Sequence, residues 1–245
     1  MKLLGYILTP IFGIVFYFLL GVFHPLQWIG LKVFGYSGHK KVVDFLNYLL
    51  MKSTLFLGIR VKFDKKNLPP SGETVIFVSN HQSMFDIPAL IWHLRKYHAK
   101  FVAKKELGKG IPSISFNLRH GGAALIDRKD REKAIETLTT FAKTIKEKKW
   151  STIIFPEGTR SKGNTPKPFS PGGLETIIQN NPDALVVPIS IQGSWKMFRF
   201  GNFPLGVGGK ISIETLKPLY ANSMSYQDLF DYLETTISKS VISKA

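Results

Sequence analysis

No cysteine occurs anywhere in the 245 residues. Disulfides, thiolate nucleophiles and cysteine-ligated zinc are thereby excluded, although the compartment is not fixed by this alone. Acidic residues are also scarce: 17 Asp plus Glu stand against 33 Lys plus Arg, a formal charge of +16. An excess of that size asks for an anionic partner, whether nucleic acid, an acidic lipid surface or a phosphorylated substrate. There is no internal repeat, no low-complexity tract, no G-x-S-x-G nucleophile elbow and no P-loop. The six histidines, at 24, 39, 81, 93, 98 and 120, show no metal-ligand spacing. What the chain does have is apolar mass, 44% hydrophobic and 13% aromatic, which excludes disorder and suits one α/β domain with an appendage.

From Leu3 to Leu31 there is no Asp, Glu, Lys or Arg. As a helix, residues 3–23 alone would be roughly 30 Å long, about one hydrocarbon thickness. Lys2 is the only basic residue ahead of the run and no small-x-small cleavage site follows, so the segment is expected to be retained. Pro10, Gly13, Gly21 and Pro25 interrupt it, leaving two readings: a straight span, or a kinked helix inserted in the interface. A second apolar pattern (Val42, Val43, Phe45, Leu46, Leu49, Leu50) is amphipathic, so residues 1–63 read as a membrane-binding helical hairpin. Lys32, Lys40, Lys41, Lys52, Arg60 and Lys62 follow the first run, which places the body on the cytoplasmic face of the cell or inner membrane. Anionic membrane phospholipids then account for the excess charge, and nucleic acid is not expected.

The stretch 64–73 carries Pro69, Pro70 and Gly72, and the domain boundary is set at its start, giving an α/β domain over 64–245. Strands are expected at 74–79, 123–126, 152–155, 185–191 and 210–214. Helices are expected at 87–97, at 131–149, and from Ser225, where Ser-Tyr-Gln-Asp resembles a capping box with Asp in place of Glu. This alternation is that of an α/β sandwich.

Two runs sit where loops leave strands. In NHQSMFD (Asn80 to Asp86), His81 and Asp86 lie five apart, about 140° on a regular helix. They meet only if the segment turns and Asp86 enters at the start of a helix. A carboxylate on one imidazole nitrogen would fix the tautomer and leave the other as a general base. On those two residues alone, Asp86 as a plain N-cap with His81 as a polar loop residue is the stronger reading. In FPEGTRS (Phe155 to Ser161), Gly158 permits close backbone approach and Arg160 offers a fork to phosphate; a strand-ending turn is the alternative. Lys104 and Lys105 in AKKEL and Arg128 in LIDR add cations beside apolar runs.

Taken together, these runs resemble the 1-acylglycerol-3-phosphate acyltransferases, also called lysophosphatidic acid acyltransferases. The resemblance spans about residues 74–191 in the family's order: N-H-x-x-x-x-D at Asn80, His81 and Asp86, the block ending in Arg128, F-P-E-G-T-R-S, and V-P-I at Val187, Pro188 and Ile189. K-x-E-L also matches, through Lys104 or Lys105 with Glu106 and Leu107. One departure stands out: where the family often has basic F-K-x-G, this chain reads Phe169, Ser170, Pro171, Gly172, Gly173, with Lys167 as the nearest cation.

The resemblance implies a mixed β-sheet flanked by helices, the glycerol-phosphate acyltransferase fold, behind a two-helix hairpin. It implies phospholipid biosynthesis, with an acyl group passing from acyl-CoA or acyl carrier protein to the sn-2 hydroxyl of lysophosphatidic acid, giving phosphatidic acid. No cofactor and no metal are implied. His81 would act as base with Asp86 as its partner, Lys105, Arg128 and Arg160 would hold the phosphate, and Glu157, Gly158 and Thr159 would line the acceptor site. Backbone N–H groups near 156–159 or at the helix start after Asp86 are the candidate oxyanion donors. The alternatives are another lysolipid or glycerol phosphate as acceptor and, in a different class, a non-enzymatic basic membrane-binding protein.

Overall fold

The computed structural model describes residues 1–243. Its first element, α1 (Lys2–Ser53), is two helical segments folded together at Gly35, whose φ of 63° and ψ of −157° no other residue adopts without strain. Beyond the fold the segments run back side by side. Gly38 sits against the Gly30 carbonyl, where a Cβ would come within 2.6 Å, and the Phe23 and Phe45 rings lie 5.9 Å apart. The hairpin expected from the sequence is therefore present, but it is not free-standing. Phe12, Phe16, Leu20 and Phe23 recur at helical spacing and are buried in the same core as Phe77 and Ile153 of the sheet. The opposite stripe is open: Leu3, Ile7, Ile14 and Phe18 are 83%, 64%, 71% and 65% exposed.

The body is one mixed sheet. Its strands are β1 (Ile59–Asp64), β2 (Val75–Ser79), β3 (Lys100–Lys104), β4 (Ala124–Ile126), β5 (Thr152–Ile154), β6 (Leu185–Gln192), β7 (Gly209–Thr215) and β8 (Leu219–Tyr220). They lie in the order β1-β7-β6-β2-β5-β3-β4, with β8 beside β6. β6, β2, β5, β3 and β4 run parallel along this path, and β7 and β8 are antiparallel to β6. The expected boundary after residue 63 falls inside β1, which pairs with β7 over its whole length and so belongs to the sheet.

Helices α2 (Asp86–His93), α3 (Ile114–His120), α4 (Arg131–Glu147), α5 (Pro171–Gln179) and α6 (Tyr226–Ile242) complete the layers. Alternation along β2 separates the two cores: Val75 and Phe77 point to α1 and α2, while Ile76 and Val78 point to α4, α5 and α6. β2 is buried on both faces, and its continuous apolar run reflects that. Pro188 in the middle of β6 is accommodated because the neighbour changes there. Val186 pairs with Leu219 of β8 and Ile189 with Thr215 of β7, so the missing N–H falls at the gap between them.

Candidate active site

Four adjacent parallel strands, β2, β5, β3 and β4, end on the same side of the sheet. The loop after β2 carries His81, the loop after β5 carries 157–161, the turn after β3 carries Lys105, and the loop after β4 carries Arg128. Ligands of parallel sheets bind beyond the carboxyl ends of the strands, and every residue singled out from the sequence leaves the sheet there.

Asp86 is the first residue of α2 and is fully buried. The loop before it turns back, through Asp86 N–H donating to the Ser83 carbonyl at 3.1 Å, and that turn brings the pair together. Asp86 Oδ2 accepts from His81 Nδ1 at 2.9 Å, Gln82 N–H at 2.8 Å and Ser83 N–H at 2.9 Å. With Nδ1 donating to the carboxylate, the imidazole presents Nε2 as an acceptor. His81 keeps 17% of its side chain exposed while Asp86 has none, so the base faces outward and its partner is sealed in. Asn80 fixes the other end of the loop. Its side-chain amide accepts from Ile191 N–H at 2.7 Å and donates to the Ile191 carbonyl at 2.9 Å, prolonging the β2–β6 ladder by one rung.

The 155–161 loop is built around His81. Phe155 stacks on the imidazole, with centroids 4.2 Å apart and planes 19° apart. Glu157 Oε1 accepts from His81 N–H at 2.7 Å and Ser161 N–H donates to the His81 carbonyl at 2.8 Å. The other Glu157 oxygen accepts from Lys167 N–H at 2.9 Å, so this carboxylate clamps two loops to each other. Burial raises the Glu157 pKa, against the lowering effect of those two N–H groups. Gly158, at φ 67°, presents its carbonyl to the Arg128 guanidinium, which places Arg128 beside Thr159 and Arg160, both exposed. Burial lowers the Arg128 pKa, and the Glu106 carboxylate opposes that shift. Lys105 is exposed at the head of a 3-10 turn, close enough to influence Asp130.

Sequence reasoning gave no part to Phe155, Ser161 or Phe85, yet all three position the His81 loop. Phe85 packs between the loop and α1, 5.4 Å from the Phe12 ring and 5.7 Å from Phe16. Phe155 and Ser161 were the ends of a quoted motif, but only the fold shows that they enclose His81. At the departure from the family pattern, Pro171 begins α5, Phe169 is buried, and Lys167 is exposed with its main chain held by Glu157. Among the described residues, no group of acidic or histidine side chains forms a metal site.

Residues 60–192 match the Acyltransferase family model, more than half the chain, from β1 through the last residue of β6. The chain belongs to the acyltransferase family. Among similar acyltransferases, the chloroplastic 1-acyl-sn-glycerol-3-phosphate acyltransferase BAT2 of Brassica napus is 32% identical over 157 residues, covering 64% of this chain and 44% of that protein. The 1-acyl-sn-glycerol-3-phosphate acyltransferase of Saccharomyces cerevisiae is 28% identical over 219 residues, 88% of this chain and 65% of that one. The chain thus spans about half the length of the curated relatives it matches. Among solved structures, the 1-acyl-sn-glycerophosphate acyltransferase PlsC of Thermotoga maritima superposes with a TM-score of 0.76. That match is 22% identical and covers 99% of this chain and 95% of PlsC, so the acyltransferase fold extends over α1 as well.

Proposed function

We propose that this acyltransferase moves an acyl group from a thioester, acyl-CoA or acyl carrier protein, to the sn-2 hydroxyl of 1-acyl-glycerol 3-phosphate, forming phosphatidic acid. The observation that carries the proposal is the buried Asp86 bound to His81 Nδ1, which leaves Nε2 outward near two loops, joined by Arg128 on Gly158, that carry Arg128 and Arg160. Relatives named for this acceptor support the choice of substrate.

In the reaction, Nε2 of His81 takes the proton of the acceptor hydroxyl as its oxygen bonds to the thioester carbonyl carbon. Asp86 stabilises the imidazolium that forms. The tetrahedral oxyanion collapses, the carbon–sulfur bond breaks, and the thiolate takes the proton back from His81. Gly158 N–H is spent on the Phe155 carbonyl and those of Gln82 and Ser83 on Asp86. We assign oxyanion stabilisation to the main-chain N–H groups of Thr159 and Arg160, which bond to no described residue. Lys105, Arg128 and Arg160 hold the acceptor phosphate, and Glu157 acts by holding the loops that frame it. The outer stripe of α1 lies in one leaflet, with the body at the cytoplasmic surface, so lipid substrates reach the loops from the bilayer.

The experiment is transfer of a labelled acyl group from acyl-CoA or acyl carrier protein to lysophosphatidic acid in detergent micelles. Wild type is expected to turn over and His81→Ala to fall by at least 1000-fold. Activity surviving in His81→Ala would sink the general-base assignment, and transfer to other lysolipids alone would reassign the acceptor.

A further inference from the structure

At the opposite end of β3 from Lys105, the second segment of α1 closes a small open-mouthed cavity of about 50 Å³, room for a phosphate-sized group. Its lining holds three cations, Lys40, Arg95 and Lys100, against one carboxylate, Asp44. Lys40 and Asp44 pair at 2.5 Å, and Asp44 acts on Arg95 and Lys100 only at longer range; Arg95 donates to the Trp92 carbonyl at 2.8 Å. Lys100 is 8% exposed and its ammonium meets only neutral groups: it donates to Tyr36 Oη at 2.5 Å and lies over the Trp150 ring at 4.4 Å. His39, 1% exposed, lines the same cavity, and both its ring nitrogens are buried with no hydrogen-bond partner among the described residues. A buried imidazole with nothing to bond, in a lining where three cations outnumber one carboxylate, describes a built site that fits an anion.

The rest of the lining is apolar, through Val43, Ile91, Phe101 and Leu118. The segment that forms the wall also exposes Phe45 by 52%, and Phe34, just before the fold at Gly35, is 70% exposed. A cavity whose lining combines cations with apolar side chains, on a helix that exposes aromatic rings, suits an amphiphile better than a free ion.

We infer that this cavity binds the phosphate of an anionic membrane-lipid headgroup, with Arg95, Lys100 and His39 as its donors. The site opens at the other end of β3 from Lys105, with only Phe101 of its wall reaching Phe155 beneath His81, and does not rest on the acyl-transfer reading. Burial, reinforced by Lys40 and Lys148 and opposed by Asp44, brings the Lys100 pKa down to about 7, and an adjacent phosphate would restore its charge.

The test is native mass spectrometry of the full chain in neutral detergent, with dihexanoyl phosphatidylglycerol, dihexanoyl phosphatidylcholine and inorganic phosphate as probes. Wild type is expected to bind phosphatidylglycerol at least tenfold more tightly than phosphatidylcholine. Lys100→Met and Arg95→Gln should each weaken phosphatidylglycerol at least tenfold, while Lys143→Gln, on the exposed face of α4, should bind as wild type. Arg95 lies on the partly exposed rim, so Arg95→Gln keeps the test valid if Lys100→Met does not fold. Equal binding by wild type and Arg95→Gln, or no preference over phosphatidylcholine, would overturn the proposal. So would loss in Arg160→Gln alone, which would place the lipid at the His81 loops, or displacement by inorganic phosphate at equal concentration, which would give the site to free phosphate. Acyl transfer is measured separately, so its failure leaves this result readable.

Discussion

Each polar residue of the N-H-x-x-x-x-D motif has a distinct duty, and the duties differ in what their loss costs. Asn80 touches no solvent, and its side chain bonds only to Ile191. Asn80→Ala leaves two main-chain groups of Ile191 unsatisfied, and a loss of about 2 kcal/mol or more is expected in a urea-unfolding measurement. Arg160, by contrast, is exposed and bonds to no described residue, so its loss should spare stability and fall on the acceptor. If Arg160→Gln removes one cation from the phosphate, the cost is about 2 to 4 kcal/mol, roughly 30- to 1000-fold in kcat/KM. Transfer to a neutral monoacylglycerol should fall little, and an equal fall for both acceptors would remove Arg160 from phosphate binding. The pairing of His81 with Asp86 was legible only in part: a five-residue interval lets the two meet where a turn enters a helix, but does not require them to. The stacking of Phe155 and the double grip of Glu157 were not, because both depend on β5 lying beside β2, a contact 76 residues away in the chain.

Among the elements, α1 shows how far a hydrophobic run can be read. Its length and lack of charge announced a membrane segment, and among the described residues it is the one helix long and apolar enough to cross a bilayer. Period alone does not say that one stripe is buried in the body while the other is open, because both stripes are apolar. Replacing Ile7, Ile14 and Phe18 together with Ser should release the chain from anionic vesicles in a sedimentation assay while leaving its melting temperature nearly unchanged. Each of these side chains contributes at most about 1.5 to 3 kcal/mol to such burial. Phe16→Ala should do the reverse, costing about 3 to 5 kcal/mol of stability. The strands with continuous apolar runs, β2, β5 and β6, fell where expected. β1 and β3 were not recognised because Arg60, Lys62, Lys100 and Lys104 punctuate them. Helix α5 was hidden by Pro171, Gly172 and Gly173, a poor helical opening in isolation that its packing on α4 sustains.

Across the whole molecule, the excess of positive charge meets the buried Lys100 in its pH response. The unfolded chain holds the Lys100 proton up to the ordinary lysine range near 10.5, but the folded chain holds it only to about 7. Between those values the unfolded state binds more protons, so stability is expected to rise with pH across that window. Urea unfolding of wild type and Lys100→Met from pH 6.5 to 9.5 should show this slope in wild type and lose it in the variant. An unchanged slope would assign the pH response to other groups. Composition and motif order by themselves determined the α/β class, the apolar hairpin and a loop pair bearing histidine, carboxylate and arginine, because these follow from local period and spacing. Tertiary structure alone decided that β1 joins the sheet, that α1 packs along one stripe, and that four strand ends converge on His81. It also decided that Lys100 lies buried under Tyr36. These depend on which distant strands become neighbours, and burial is a property of that arrangement, which no single segment carries.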